Sequence, residues 1–98
     1  MAMCGGMKQV EQATPEVQQL IETVKVKVEE KAGKKLEVYE AKLFATQLVN
    51  GINYFVKVHI GNGEYIHVRA HKAFNQEKTV SFHSIQDKKQ EADELAYF

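Results

Sequence analysis

The sequence predicts an α+β protein: one long N-terminal helix wrapped by an antiparallel β-sheet of four to five strands. Three observations carry that prediction. Apolar residues recur at three- and four-residue spacing only once, early in the chain. From Leu36 onward the apolar residues alternate instead, the period of a half-buried strand. Turn-forming clusters then cut this second region into consecutive segments, which favours a meander laid over the helix.

Residues 1 to 13 show no periodicity and carry the glycine pair Gly5-Gly6, so they read as a flexible N-terminal arm. Thr14-Pro15-Glu16 announces a helix over 14–32. The threonine caps free N–H groups, proline fits the first turn, and glutamate suits the positive end of the helix dipole. Val17, Leu20, Ile21, Val24 and Val28 form one apolar stripe, with Val26 off it. Gly33, flanked by lysines, supplies the stop.

Strands occupy 36–86. The first places Leu36, Val38, Ala41, Leu43 and Ala45 inward, with a slip between Val38 and Ala41 that implies a bulge. The second, Ile52 to Ile60, puts Ile52, Tyr54, Val56, Val58 and Ile60 on one face and Asn53, Phe55, Lys57 and His59 on the other. Gly61-Asn62-Gly63 turns the chain. Parity favours a three-residue loop there, pairing Ile60 with Glu64, Val58 with Ile66 and Val56 with Val68. A third strand runs to about Ala73, residues 74–78 turn again, and Thr79 to Gln86 is the last strand. The tail 87–98 ends on Leu95-Ala96-Tyr97-Phe98, apolar groups suited to docking back. The 98 residues read as a single domain.

Between the first two long strands lies Gln47-Leu48-Val49-Asn50-Gly51. Hairpin tips normally carry polar residues, since apolar groups there gain nothing from the fold. An apolar tip closed by glycine is a surface to be buried, in a partner or against the protein's own tail. In a meander, alternate turns share an end, so this loop and the one at 73–76 are neighbours.

Bulk composition narrows the classes. Thirteen basic and thirteen acidic residues cancel, with no block of like charge, which argues against nucleic-acid and membrane-surface binding. Cys4 is the one cysteine, so no intrachain disulfide forms, and the chain suits a reducing, cytoplasmic setting. No segment reads as a signal peptide or membrane span. His67 and His71 share a strand face but lie about 13 Å apart at strand rise, too far for one ion. No metal or cofactor site is expected, and the four histidines read as a solvated face. Cys4 lacks a partnered base, so no enzyme is expected either.

Several motifs in order then carry a resemblance. Gln47-Leu48-Val49-Asn50-Gly51 is similar to a Gln-Val-Val-Ala-Gly loop. Asn53-Tyr54-Phe55 follows it, Cys4-Gly5 matches an N-terminal glycine site, and Asp93-Glu94-Leu95-Ala96-Tyr97-Phe98 matches a family chain end. From about Cys4 to Phe98 the chain resembles the stefins, the type 1 cystatins. The resemblance implies a cystatin-like fold and reversible, tight-binding, competitive inhibition of papain-like cysteine proteases of the cathepsin type. It implies a wedge in which Cys4, Gly5 and Gly6 take the unprimed side of the enzyme cleft. Gln47, Leu48, Val49, Asn50 and Gly51, with Phe74 and Asn75 of the second loop, take the primed side. Two departures stand out: Asn50 replaces the usual alanine, and Phe74-Asn75 replaces a common Leu-Pro. They are the grounds for the alternative, a non-inhibitory binding module on the same scaffold. Gly5 and Gly6 both qualify as the arm's pivot. The protein is expected to be a monomer, with a domain-swapped dimer open to it if the first hairpin unfolds.

Overall fold

A computed structural model describes residues 7–98. Its elements are β1 (Glu11–Gln12), α1 (Pro15–Thr23), α2 (Lys25–Ala32), β2 (Glu40–Leu48), β3 (Ile52–Gly61), β4 (Glu64–Lys72) and β5 (Val80–Lys89). The strands form one antiparallel sheet in the order β1-β2-β3-β4-β5. The α+β class is as the sequence predicts.

The predicted single helix is interrupted at Val24. Thr14 caps α1 through its hydroxyl, which accepts from Val17 N–H at 3.2 Å. At the other end the Thr23 hydroxyl donates to Gln19 O at 3.0 Å, and Val24 N–H reaches Ile21 O instead of the carbonyl four residues back. Such side-chain bonding to the preceding turn competes with the helical ladder and bends it. The ladder resumes as Val28 N–H donates to Val24 O at 3.0 Å. All five stripe residues remain buried, with Val26 exposed, so the interruption leaves the apolar face continuous.

The chain from α2 to β2 is tied down by polar side chains. Glu29 accepts from Leu36 N–H, Tyr39 O–H donates to Ile21 O, and Gln18 both accepts from Ala41 N–H and donates to Tyr39 O, all at 2.8–2.9 Å. Leu36 and Tyr39 therefore join the core from outside any strand, because β2 begins only at Glu40. Val38, expected inward, is exposed.

Two bulges set the register. In β2 the pairing steps from Ala41↔Val58 to Leu43↔Lys57, leaving Lys42 as the extra residue. From there Phe44, opposite Val56, packs toward the helices, while Leu43 and Ala45 lie on the opposite face. The alternation Ala41, Leu43, Ala45 thus does not hold to one face, since one extra residue inverts every side chain after it. In β3 the pairing steps from His59↔Tyr65 to Gly61↔Glu64. The turn is the two-residue Asn62-Gly63, both left-handed at φ +54 and +70, rather than a three-residue loop. The extra Ile60 absorbs the parity mismatch, so Val58↔Ile66 and Val56↔Val68 form as predicted while Ile60 does not pair with Glu64.

One face of the sheet covers the helices. The other is covered by the tail. Phe55, Lys57 and His67 are buried there, and Leu95 is buried with them. The Phe55 ring meets Tyr97 at 5.6 Å and Phe98 at 5.8 Å, with the Arg69 guanidinium 5.4 Å from Phe55 and 5.1 Å from Tyr97. Arg69 Nη1 donates to Phe98 O, and Lys57 Nζ donates to the carbonyls of Glu91 and Asp93. His67 is fully buried, contrary to the solvated-face expectation for the histidines. Its burial, with Lys57 and Lys89 nearby, lowers its pKa from 6.5 to about 4, Asp93 opposing weakly.

Candidate functional site

The register of β3 against β4 builds the site. Ile52, the first residue after the 47–51 loop, pairs with Lys72, the last before the second loop. Both loops therefore emerge at one end of the sheet, and Asn62-Gly63 lies at the other. Ile52, Lys72, Ala73, Phe74, Asn75 and Lys78 line a shallow hollow at the base of the second loop.

In the first loop Leu48 is 58% exposed and Val49 44%, although the core elsewhere buries such groups. Neither docks on the tail, which lies over the sheet face. Asn53 donates its side-chain amide to Gln47 Oε1 at 2.8 Å, closing the base of the hairpin. Asn50 sits at φ +43. Among non-glycine residues asparagine tolerates this conformation well and alanine poorly, which is a physical reason for Asn50 here. Gly51 has φ +122, and a Cβ built on it would lie 2.6 Å from His71 Cε1, closer still to Nε2, and 2.9 Å from Lys72 O. No side chain fits at this position.

In the second loop Phe74 is 65% exposed. Asn75 turns inward on its own loop instead: its Oδ1 accepts from Thr79 N–H at 3.1 Å and its Nδ2 donates to Thr79 Oγ1 at 3.2 Å. Further backbone bonds, Ala73 N–H to Thr79 O at 2.8 Å and Lys78 N–H to Asn75 O at 3.0 Å, complete the brace. These bonds do part of what a proline's fixed φ does.

The arm approaches the same end. Ala13 N–H donates to Lys42 O at 3.0 Å, Glu11 and Gln12 pair with Phe44 and Leu43, and Lys8 N–H donates to Thr46 O at 2.7 Å. Residues 8–13 thus run along the sheet edge, and 11–12 form a strand where the sequence showed no periodicity. Cys4, Gly5 and Gly6 lie outside the described residues. Sequence reading missed His71 and Lys72 beneath Gly51. The signal was in the pairing: Asn53 opposite His71 puts Gly51 diagonally over that ring.

Among the described residues no group of three or more metal-ligating side chains occurs, and no helix is long and apolar enough to cross a membrane. What the edge offers is apolar area on braced turns, the means of a protein that acts by occupying another protein's surface. A cystatin domain matches residues 5–92. The chain is 40% identical over 97 residues to Cystatin-B of Macaca fuscata fuscata, covering 98% of this chain and 99% of the relative. It is likewise 40% identical over 97 residues to Cystatin-A1 of Sus scrofa, covering 98% and 94%, and 38% identical to Cystatin-B of Homo sapiens, covering 98% and 99%. The chain belongs to the cystatin family, inhibitors of cysteine proteases rather than enzymes, and its relatives are stefins.

Proposed function

We propose that this protein is a reversible, tight-binding competitive inhibitor of papain-like, cathepsin-type proteases that acts as a three-part wedge. The observation that carries the reading is the convergence of Leu48, Val49 and Phe74 at the end toward which Lys8 leads the arm. On docking, these side chains lose apolar exposed area worth roughly 25 cal/mol per Å². Braced turns lose little entropy when they bind. Cys4, Gly5 and Gly6 take the unprimed side of the cleft. Gln47–Gly51, with Phe74, takes the primed side, and Asn75 holds the second loop in shape. The protein works as a cytoplasmic monomer, without a cofactor.

Titration of active papain tests this, with Gly51→Arg and a form lacking residues 1–6 alongside. Stoichiometric, reversible inhibition weakened by each change is the expected result. A folded protein that leaves papain and cathepsin-type relatives untouched returns the reading to a non-inhibitory binding module.

A further inference from the structure

We propose that His71 is a positioning residue for the first loop, its imidazole filling the notch left by the missing side chain of Gly51. The inference rests on the inhibitory reading above and names what holds that loop in its docking shape. In the register, His71 stands between Asn53 on β3 and Ser81 on β5. Gly51 lies in the bend just before β3, and the direction its side chain would take runs into that ring. Gly51 is buried while Leu48, Val49 and Asn50 around it are exposed. The atoms nearest the position of its absent Cβ are Nε2 and Cε1 of His71, then Lys72 O at 2.9 Å.

A glycine is the least restrained residue of the loop, since it has no Cβ to limit φ and ψ. Here a side chain from the neighbouring strand imposes the limit that glycine lacks. With Asn53 fixing Gln47 on one side of the turn, the ring fixes the other, and Leu48-Val49 is held between two restrained points. Freezing those points before docking spares their ordering cost at binding. The contact is between a ring edge and a backbone, so another flat ring preserves it and a methyl group does not.

The test uses His71→Ala and His71→Phe, each read twice. In the free protein, backbone amide relaxation at Asn50 and Gly51 reports loop order on the fast timescale. With papain, the dissociation rate reports docking. We expect His71→Ala to give mobile-loop relaxation at Gly51 and about tenfold faster dissociation, and His71→Phe to restore both to within about threefold. A double-mutant cycle is the second measurement: Gly51→Ala costs less affinity in the His71→Ala background than in the parent. Unchanged Gly51 relaxation and dissociation in His71→Ala, or a Gly51→Ala penalty equal in both backgrounds, overturns the proposal. If the parent protein does not inhibit papain, the inhibitory reading fails, while the relaxation data still decide whether His71 orders the loop.

Discussion

At Gly51, a single methyl group meets two obstacles at once, a left-handed φ of +122 and an occupied volume. Either alone is costly, and together they make the position exclusive to glycine. His67 is the second residue whose surroundings dictate its behaviour. Neither ring nitrogen has a hydrogen-bond partner among the described residues, and burial next to Lys57 and Lys89 favours the neutral form. The unfolded chain, with an ordinary histidine near 6.5, binds more protons than the folded one between 6.5 and about 4. The stability contributed by neutral His67 is therefore full above 6.5 and is lost as the pH falls toward 4, by about 3 kcal/mol in all. Urea unfolding at pH 7 and pH 4.5 measures the loss. Replacing the ring by His67→Phe flattens the difference, whatever its effect on stability at neutral pH.

Among the elements, the tail 90–98 is the least expected contributor. It covers a sheet face that alternates polar and apolar groups, and it is fastened by Lys57 and Arg69 to three main-chain carbonyls. Leu95 is its buried anchor. Leu95→Ala is expected to cost about 3 kcal/mol in urea unfolding while leaving papain inhibition at neutral pH unchanged, because the loops stand away from the tail. The second loop shows the converse. Asn75 makes no core contact, yet it carries two bonds across the turn. Asn75→Ala is expected to leave the unfolding midpoint nearly unchanged and to raise the papain inhibition constant several-fold, as the cost of ordering Phe74 moves to the binding step. A change in stability without a change in inhibition counts against that assignment. The arm is the third element, its residues 8–13 held along the sheet edge by the short β1 ladder and by the backbone bond of Lys8 to Thr46.

For the whole molecule, the useful property is that three chain segments far apart in sequence leave the fold at one end. The β2–β3 hairpin holds that end together, and it is the point at which a domain swap is expected. An extended crossing in place of the 47–51 turn gives a swapped dimer with the same sheet and no apolar tip. The expected outcome is that dimer isolated by size-exclusion chromatography, its swap confirmed by structure, fails to inhibit papain, and that inhibition returns with the monomer. A swapped dimer as potent as the monomer removes the tip from the mechanism.

Sequence alone determined the class and the succession of a helical segment and four long strands, because helical and strand periods are local and strongly marked there; the two-residue β1 and the break at Val24 have no such period. It also singled out Leu48, Val49 and Gly51, because apolar residues at a turn conflict with the local rule. Bulges were beyond its reach. Lys42 and Ile60 are ordinary residues, and whether one becomes extra depends on which register lets both strands bury their apolar faces. For the same reason the sequence put Leu43 on the helix side, whereas Phe44 is there. It read His67 as solvated because a strand's second face is exposed only if nothing covers it, and the covering segment comes from the far end of the chain. The placement of His71 under Gly51 was decided by strand pairing. A contact between residues on different strands exists only once the register is set, and burial across the whole sheet sets it.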